Sequence, residues 1–195
     1  MGPLELVKIN HLMERTAGRA EIKVALIDGP VAIDHADLAG RNIREVGGPQ
    51  AGACSKADSL ACLHGTFVAG MLCAKRGSNA PAICPECTLV VRPVFSEEGF
   101  AQRDMPQAKP EEIARAIVET VSQGARVINL SAAFTWPTSN GERTLQEALD
   151  YAAKWEVMFV AAAGNQGSIG SSILTRHPLT ASHRHLEGQA PPPRL

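Results

Sequence analysis

"KVALIDG", residues 23 to 29, is an unbroken apolar run that ends in an acid and a glycine. Polar side chains are missing from Val24 to Ile27, so an extended chain here would turn neither face to water. The stretch reads as a strand buried on both sides, the pattern of a parallel sheet covered by helices. "CTLVVRPVF" (87 to 95), "RVINLSAA" (126 to 133) and "VMFVAAAG" (157 to 164) repeat it, each rich in Val, Leu or Ile or in small apolar residues and bounded by turn formers.

Helical patterns separate these runs. "PEEIARAIVETVSQG" (110 to 124) has Pro and two acids in its first turn, apolar Ile113, Ile117 and Val121 along one face, and Gly124 as a stop. "SNGERTLQEALDYAAKW" (139 to 155) opens with Ser139 and Glu142 in capping-box spacing and aligns Leu145, Ala148, Leu149 and Ala152. Strands alternating with helices predict an α/β fold, a three-layer sandwich around a mostly parallel sheet. Right-handed crossovers then bring the strand C-termini, including Asp28 and the turn from Ala162 to Asn165, to one edge.

Composition bounds what such a domain does. The 195 residues are 45% hydrophobic, enough for one packed domain. Lys and Arg total 19 against 20 Asp and Glu, so broad electrostatic attraction to nucleic acid or an anionic membrane is not expected. The charged start and the absence of any apolar run of spanning length predict a soluble, cytoplasmic protein. Residues 1–20 read as a helical N-terminal segment, 21–174 as the domain, and 175–195, with its three consecutive prolines, as a disordered tail.

Cys54, Cys62, Cys73, Cys84 and Cys87 are an odd number, so at least one is free, and a cytosolic chain keeps them reduced. "CPEC" (84 to 87) has zinc-ligand spacing, and Cys54 with Cys62 offers a second pair. That second spacing is not a zinc knuckle, and "CPEC" leads into a strand. Structural or free cysteines are the expectation, a local bridge the next reading, with no metal and no cofactor.

Three short motifs carry the chemistry. Asp28 leaves a buried strand just before Gly29, His64 opens a small-residue helix in "HGTFVAGML" (64 to 72), and Asn165 follows Gly164 at a strand end. Taken singly, each has an ordinary structural explanation: a turn acid, a helix-start residue, a loop. Together and in this order, "VALIDG", "HGTFVAG" and "VAAAGN" resemble the Asp, His and oxyanion-Asn blocks of the subtilisin-like serine peptidases. "HADL" (35 to 38) and "VINLS" (127 to 131) resemble two further elements of that family, the second its substrate-binding strand. The "DGPV" form and the "CLHGTF" context look most like the branch related to cyanobactin-maturation peptidases.

The resemblance implies a serine endopeptidase in which His64 is the base, Asp28 orients it and Asn165 donates to the oxyanion. It implies that Ser131, Ala132 and Ala133, with Ala162, Ala163 and Gly164, line the groove for an extended peptide or protein substrate. The chain also departs from the family. Gly29 replaces the usual Ser, Thr or Asp, Ala133 stands where Gly is common, and a Gly-Thr-Ser-x-Ala nucleophile block is absent from the 195 residues. The expectation is therefore an incomplete subtilisin-like fold that is inactive alone. A pseudoenzyme or peptide-binding module using the substrate strand is the alternative.

Overall fold

The structure is a computed structural model that describes residues 3–47, 54–97, 108–131, 139–162 and 180–183. Two short helices, α1 (Pro3–Leu6) and α2 (Asn10–Arg15), precede β1 (Lys23–Asp28). The chain continues through β2 (Ile43–Glu45), α3 (Leu60–Cys73), β3 (Thr88–Pro93), α4 (Pro110–Ser122), β4 (Val127–Leu130), α5 (Ser139–Lys154), β5 (Met158–Ala162) and β6 (Thr180–His183). The strands form one six-stranded sheet in the order β2-β3-β1-β4-β5-β6, and every neighbouring pair is parallel.

Strand β1 lies inside this sheet, between β3 and β4, and its side chains alternate between two cores. Ala25 and Ile27 enter the larger one, with Ile113 and Ile117 of α4, Leu145 and Leu149 of α5, and Phe159 of β5. Val24 and Leu26 enter the other, with Ala69 and Cys73 of α3 and with Leu89 and Val91 of β3. Helices therefore cover both faces, giving the three-layer α/β sandwich expected from the unbroken apolar strands. Strand parity sends Asp28 to the same face as Leu26, which is the face of α3.

Helix α4 has Pro110 in its first turn with Glu111 and Glu112, and Gly124 takes a φ of +82° just beyond its end. Arg92 of β3 is fully buried and faces α4. Its Nη2 donates to Glu112 at 2.6 Å and its Nε to Glu119 at 2.5 Å. Both carboxylates lie on α4, so the network ties that helix to the sheet.

Some elements differ from the sequence reading. Strands β2 and β6 were not expected; β6, at Thr180–His183, lies within the stretch read as a tail. Parallel pairing with β5, at Phe159 with Thr180 through Ala162 with His183, uses backbone groups and needs no apolar period. Helix α3 begins at Leu60, so His64 lies a full turn inside it rather than opening it. Among the described residues, no helix is long and apolar enough to cross a membrane.

Candidate active site

Ser59 starts α3: its hydroxyl accepts from the Cys62 amide at 3.1 Å, satisfying one of the helix's free N–H groups. The helix then passes close over the turn that follows β1. A side chain at Gly29 would collide with the Ala61 carbonyl, and a Cβ at Gly65 would lie 2.5 Å from the Pro30 carbonyl oxygen and 2.6 Å from that of Gly29. Bare backbone at both positions lets α3 descend onto the strand end. Thr66 fixes the contact, its hydroxyl accepting from the Ala32 amide at 2.9 Å.

This close approach brings His64 to Asp28. His64 Nδ1 lies 2.8 Å from Asp28 Oδ1. The carboxylate is fully buried, while the imidazole is 44% exposed. An ionised carboxylate only accepts, so Nδ1 carries the proton, and in the neutral ring Nε2 is left with its lone pair. The Gly29 amide also donates to Asp28 Oδ1, at 2.6 Å. Asp28 Oδ2 is buried and has no hydrogen-bond partner among the described residues. The hydrogen bond that His64 donates to Asp28 raises the His64 pKa above its ordinary value; partial burial opposes this, and the carboxylate's charge reinforces it.

Neighbouring segments hold the Asp28 backbone. The Val94 amide donates to the Asp28 carbonyl at 2.8 Å, so the exit of β3 is fastened to the end of β1. A little further on, Glu97 accepts from the Ser55 amide and hydroxyl at 2.8 and 2.7 Å, from the Lys56 amide at 2.9 Å and from the Ser59 hydroxyl at 3.1 Å. Burial pushes the Glu97 carboxyl up, but these donors outweigh it and hold the group below its ordinary pKa.

Cys54 and Cys62 form a disulfide with Cα atoms 5.6 Å apart, which corrects the expectation that the cysteines are all reduced. The physical reason is that the segment leading into the Ser59 cap folds back over the first turn of α3. Cys73, Cys84 and Cys87 are free. Burial pushes the Cys73 thiol up to about 11 and the Cys84 thiol to about 12, so both stay protonated at neutral pH.

Of the other expected site residues, Ser131 directly follows β4, whose Leu130 pairs with Ile27, and so lies at the same sheet edge as Asp28. Its hydroxyl accepts from Asn129 Nδ2 at 3.1 Å. Ala162 ends β5 at that edge. Ala132, Ala133, Ala163, Gly164 and Asn165 lie outside the described residues. The sequence reading missed Glu97 as a support of α3; no motif marks a lone acid whose partners lie about forty residues away.

A family model described as the subtilase family matches residues 19–184. The chain belongs to the subtilase family. Subtilisin DY of Bacillus licheniformis is 27% identical over 176 residues, which are 90% of this chain and 58% of that protein. Subtilisin E of Bacillus subtilis is 29% identical over 160 residues, 82% of this chain and 38% of that protein. Among solved structures, a serine-to-alanine mutant of the protease domain of PatA superposes with a TM-score of 0.71 at 28% identity, covering 85% of this chain and 57% of that one. The prenylagaramide maturation protease PagA gives 0.73 at 25% identity, covering 89% and 57%. These two neighbours bear out the likeness to the cyanobactin-maturation branch. The chain thus spans between 38% and 58% of the length of these four proteins.

Proposed function

We propose that this chain carries the base and its orienting carboxylate for serine-dependent peptide-bond hydrolysis, as in the patellamide and prenylagaramide maturation proteases it is similar to. The observation that carries the reading is the 2.8 Å contact between a buried Asp28 and the Nδ1 of a half-exposed His64. With Nδ1–H held by Asp28, the Nε2 lone pair faces outward to take the proton of a serine hydroxyl. The carboxylate then stabilises the imidazolium that forms. The proton next passes from Nε2 to the leaving amine.

Asn165 is our candidate for the oxyanion donor, a contribution of about 3 kcal/mol where such a donor is in place. Residues 131 to 133 are the proposed backbone track for an extended peptide, with 162 to 164 beside it. Among the 195 residues, none of the serines stands in a nucleophile block of the family's type. The chain alone is therefore proposed not to complete the acyl-enzyme step.

The test combines a fluorophosphonate probe, a peptidase assay and a binding measurement on the whole chain. The expected result is no serine labelling and no turnover, with measurable binding of an extended peptide. Turnover abolished by His64→Ala would overturn the proposed inactivity, and turnover untouched by that substitution would overturn the assignment of the base.

A further inference from the structure

Beside the dyad, a second group of reactive side chains converges. Cys54 Sγ, Cys62 Sγ and a Glu97 carboxylate oxygen all lie within 4.8 Å of one another. They come from separate parts of the chain: the segment before α3, its first turn, and the exit of β3. We propose that, once the Cys54–Cys62 bond is reduced, the two thiolates and Glu97 bind a thiophilic divalent cation of the zinc class.

The backbone spacing suits both states. Cα atoms 5.6 Å apart accommodate a disulfide. Two thiolates on a tetrahedral zinc, at about 2.3 Å each, need sulfurs about 3.8 Å apart. Side-chain rotation opens the pair to that extent without moving the main chain. Two sulfurs and one carboxylate favour zinc or cadmium over magnesium or calcium, whose ligands are all oxygen. Three protein ligands leave the fourth position to water.

Glu97 is already set for such a role by Ser55, Lys56 and Ser59, in the way outer hydrogen bonds orient a metal-binding carboxylate. Coordination requires one of its lone pairs. One of its four donors therefore gives way, and if that is the Ser59 hydroxyl, Ser59 keeps its cap because there it acts as acceptor. The steps balance: a dithiol reductant gives two electrons and two protons to the Cys54–Cys62 bond and becomes a disulfide itself. Cation binding then displaces the two thiol protons to water. The bound ion closes the same short loop that the disulfide closes, so the start of α3 is held in either state.

The whole chain, reduced and freed of reductant under argon, is titrated with cobalt(II) while the thiolate-to-cobalt charge-transfer absorbance is followed, and zinc is then added to displace it. The expected result is a single equivalent bound by the reduced protein and none by the oxidised one. The double substitution Cys54→Ser/Cys62→Ser abolishes the band, and Glu97→Gln keeps it but weakens binding roughly tenfold or more. A reduced protein without the band, full uptake by the double variant, which would place the ion on Cys73, Cys84 and Cys87, or unchanged affinity in Glu97→Gln would each overturn the proposal. Glu97→Gln keeps both thiols, so it decides the matter even if the double variant does not fold.

Discussion

A single hydrogen bond sets the chemistry of His64, and its pH dependence has a definite sign. The Asp28 contact favours the charged imidazole while burial disfavours it, and the net effect raises the folded pKa above the ordinary value of about 6.5. The pair's stabilisation is therefore fully present below the unfolded pKa and is lost as pH rises through the folded one. An NMR titration of the His64 ring is expected to show a midpoint above the ordinary value in the wild type. In Asp28→Asn the midpoint falls below it, because burial then acts unopposed; a midpoint unchanged by the substitution would sink this account. The residues of the dyad were legible in the sequence because each sits in a short contiguous motif. The role of Gly29 was not: its departure from the family pattern was visible, but the Ala61 carbonyl that forbids a side chain there comes from a different element.

Helix α3 acts as a lever whose position depends on two bare backbone contacts. Gly29→Ala pushes a methyl into the Ala61 carbonyl, which main chain cannot avoid without shifting the helix. A loss of about 3 kcal/mol in urea unfolding is expected, at the upper end of overpacking costs, together with a lowered His64 midpoint as the ring leaves Asp28. Gly65→Ala is expected to act in the same direction through Pro30 and Gly29. At the opposite face, Arg92→Met leaves Glu112 and Glu119 without their shared cation. Breaking a buried pair costs about 3 kcal/mol or more; because the two carboxylates are partly exposed, the lower end is expected, with the His64 midpoint unchanged. Measuring both quantities in all three variants separates loss of packing from loss of dyad geometry. Strands β1, β3, β4 and β5 and helices α4 and α5 were readable because apolar period is local, as are the Pro110 and Gly124 signals that bound α4. Strands β2 and β6 were not, since each is short and owes its existence to a neighbour's backbone.

At the scale of the molecule, apolar surface is unevenly covered among the described residues. Leu60, Leu63 and Phe67 follow one side of α3 at helical spacing and are 46%, 52% and 65% exposed. An exposed aromatic within a turn of His64 is expected to promote association. Phe67→Ser should raise the concentration at which the protein stays monodisperse in sedimentation, while changing unfolding free energy by only about 0.5 kcal/mol. A large stability loss would show that the ring is covered in solution. The two-core arrangement around β1 has a further consequence, for how this gene can vary. Deleting or inserting one codon before Asp28 within β1 would exchange the cores and aim the carboxylate at α4 and α5. A change of two codons would restore the face but slide the acid along the strand by about 6.6 Å, out of reach of the imidazole. Length variation in this lineage is therefore expected in the loops, with β1 kept at constant length from Lys23 to Asp28.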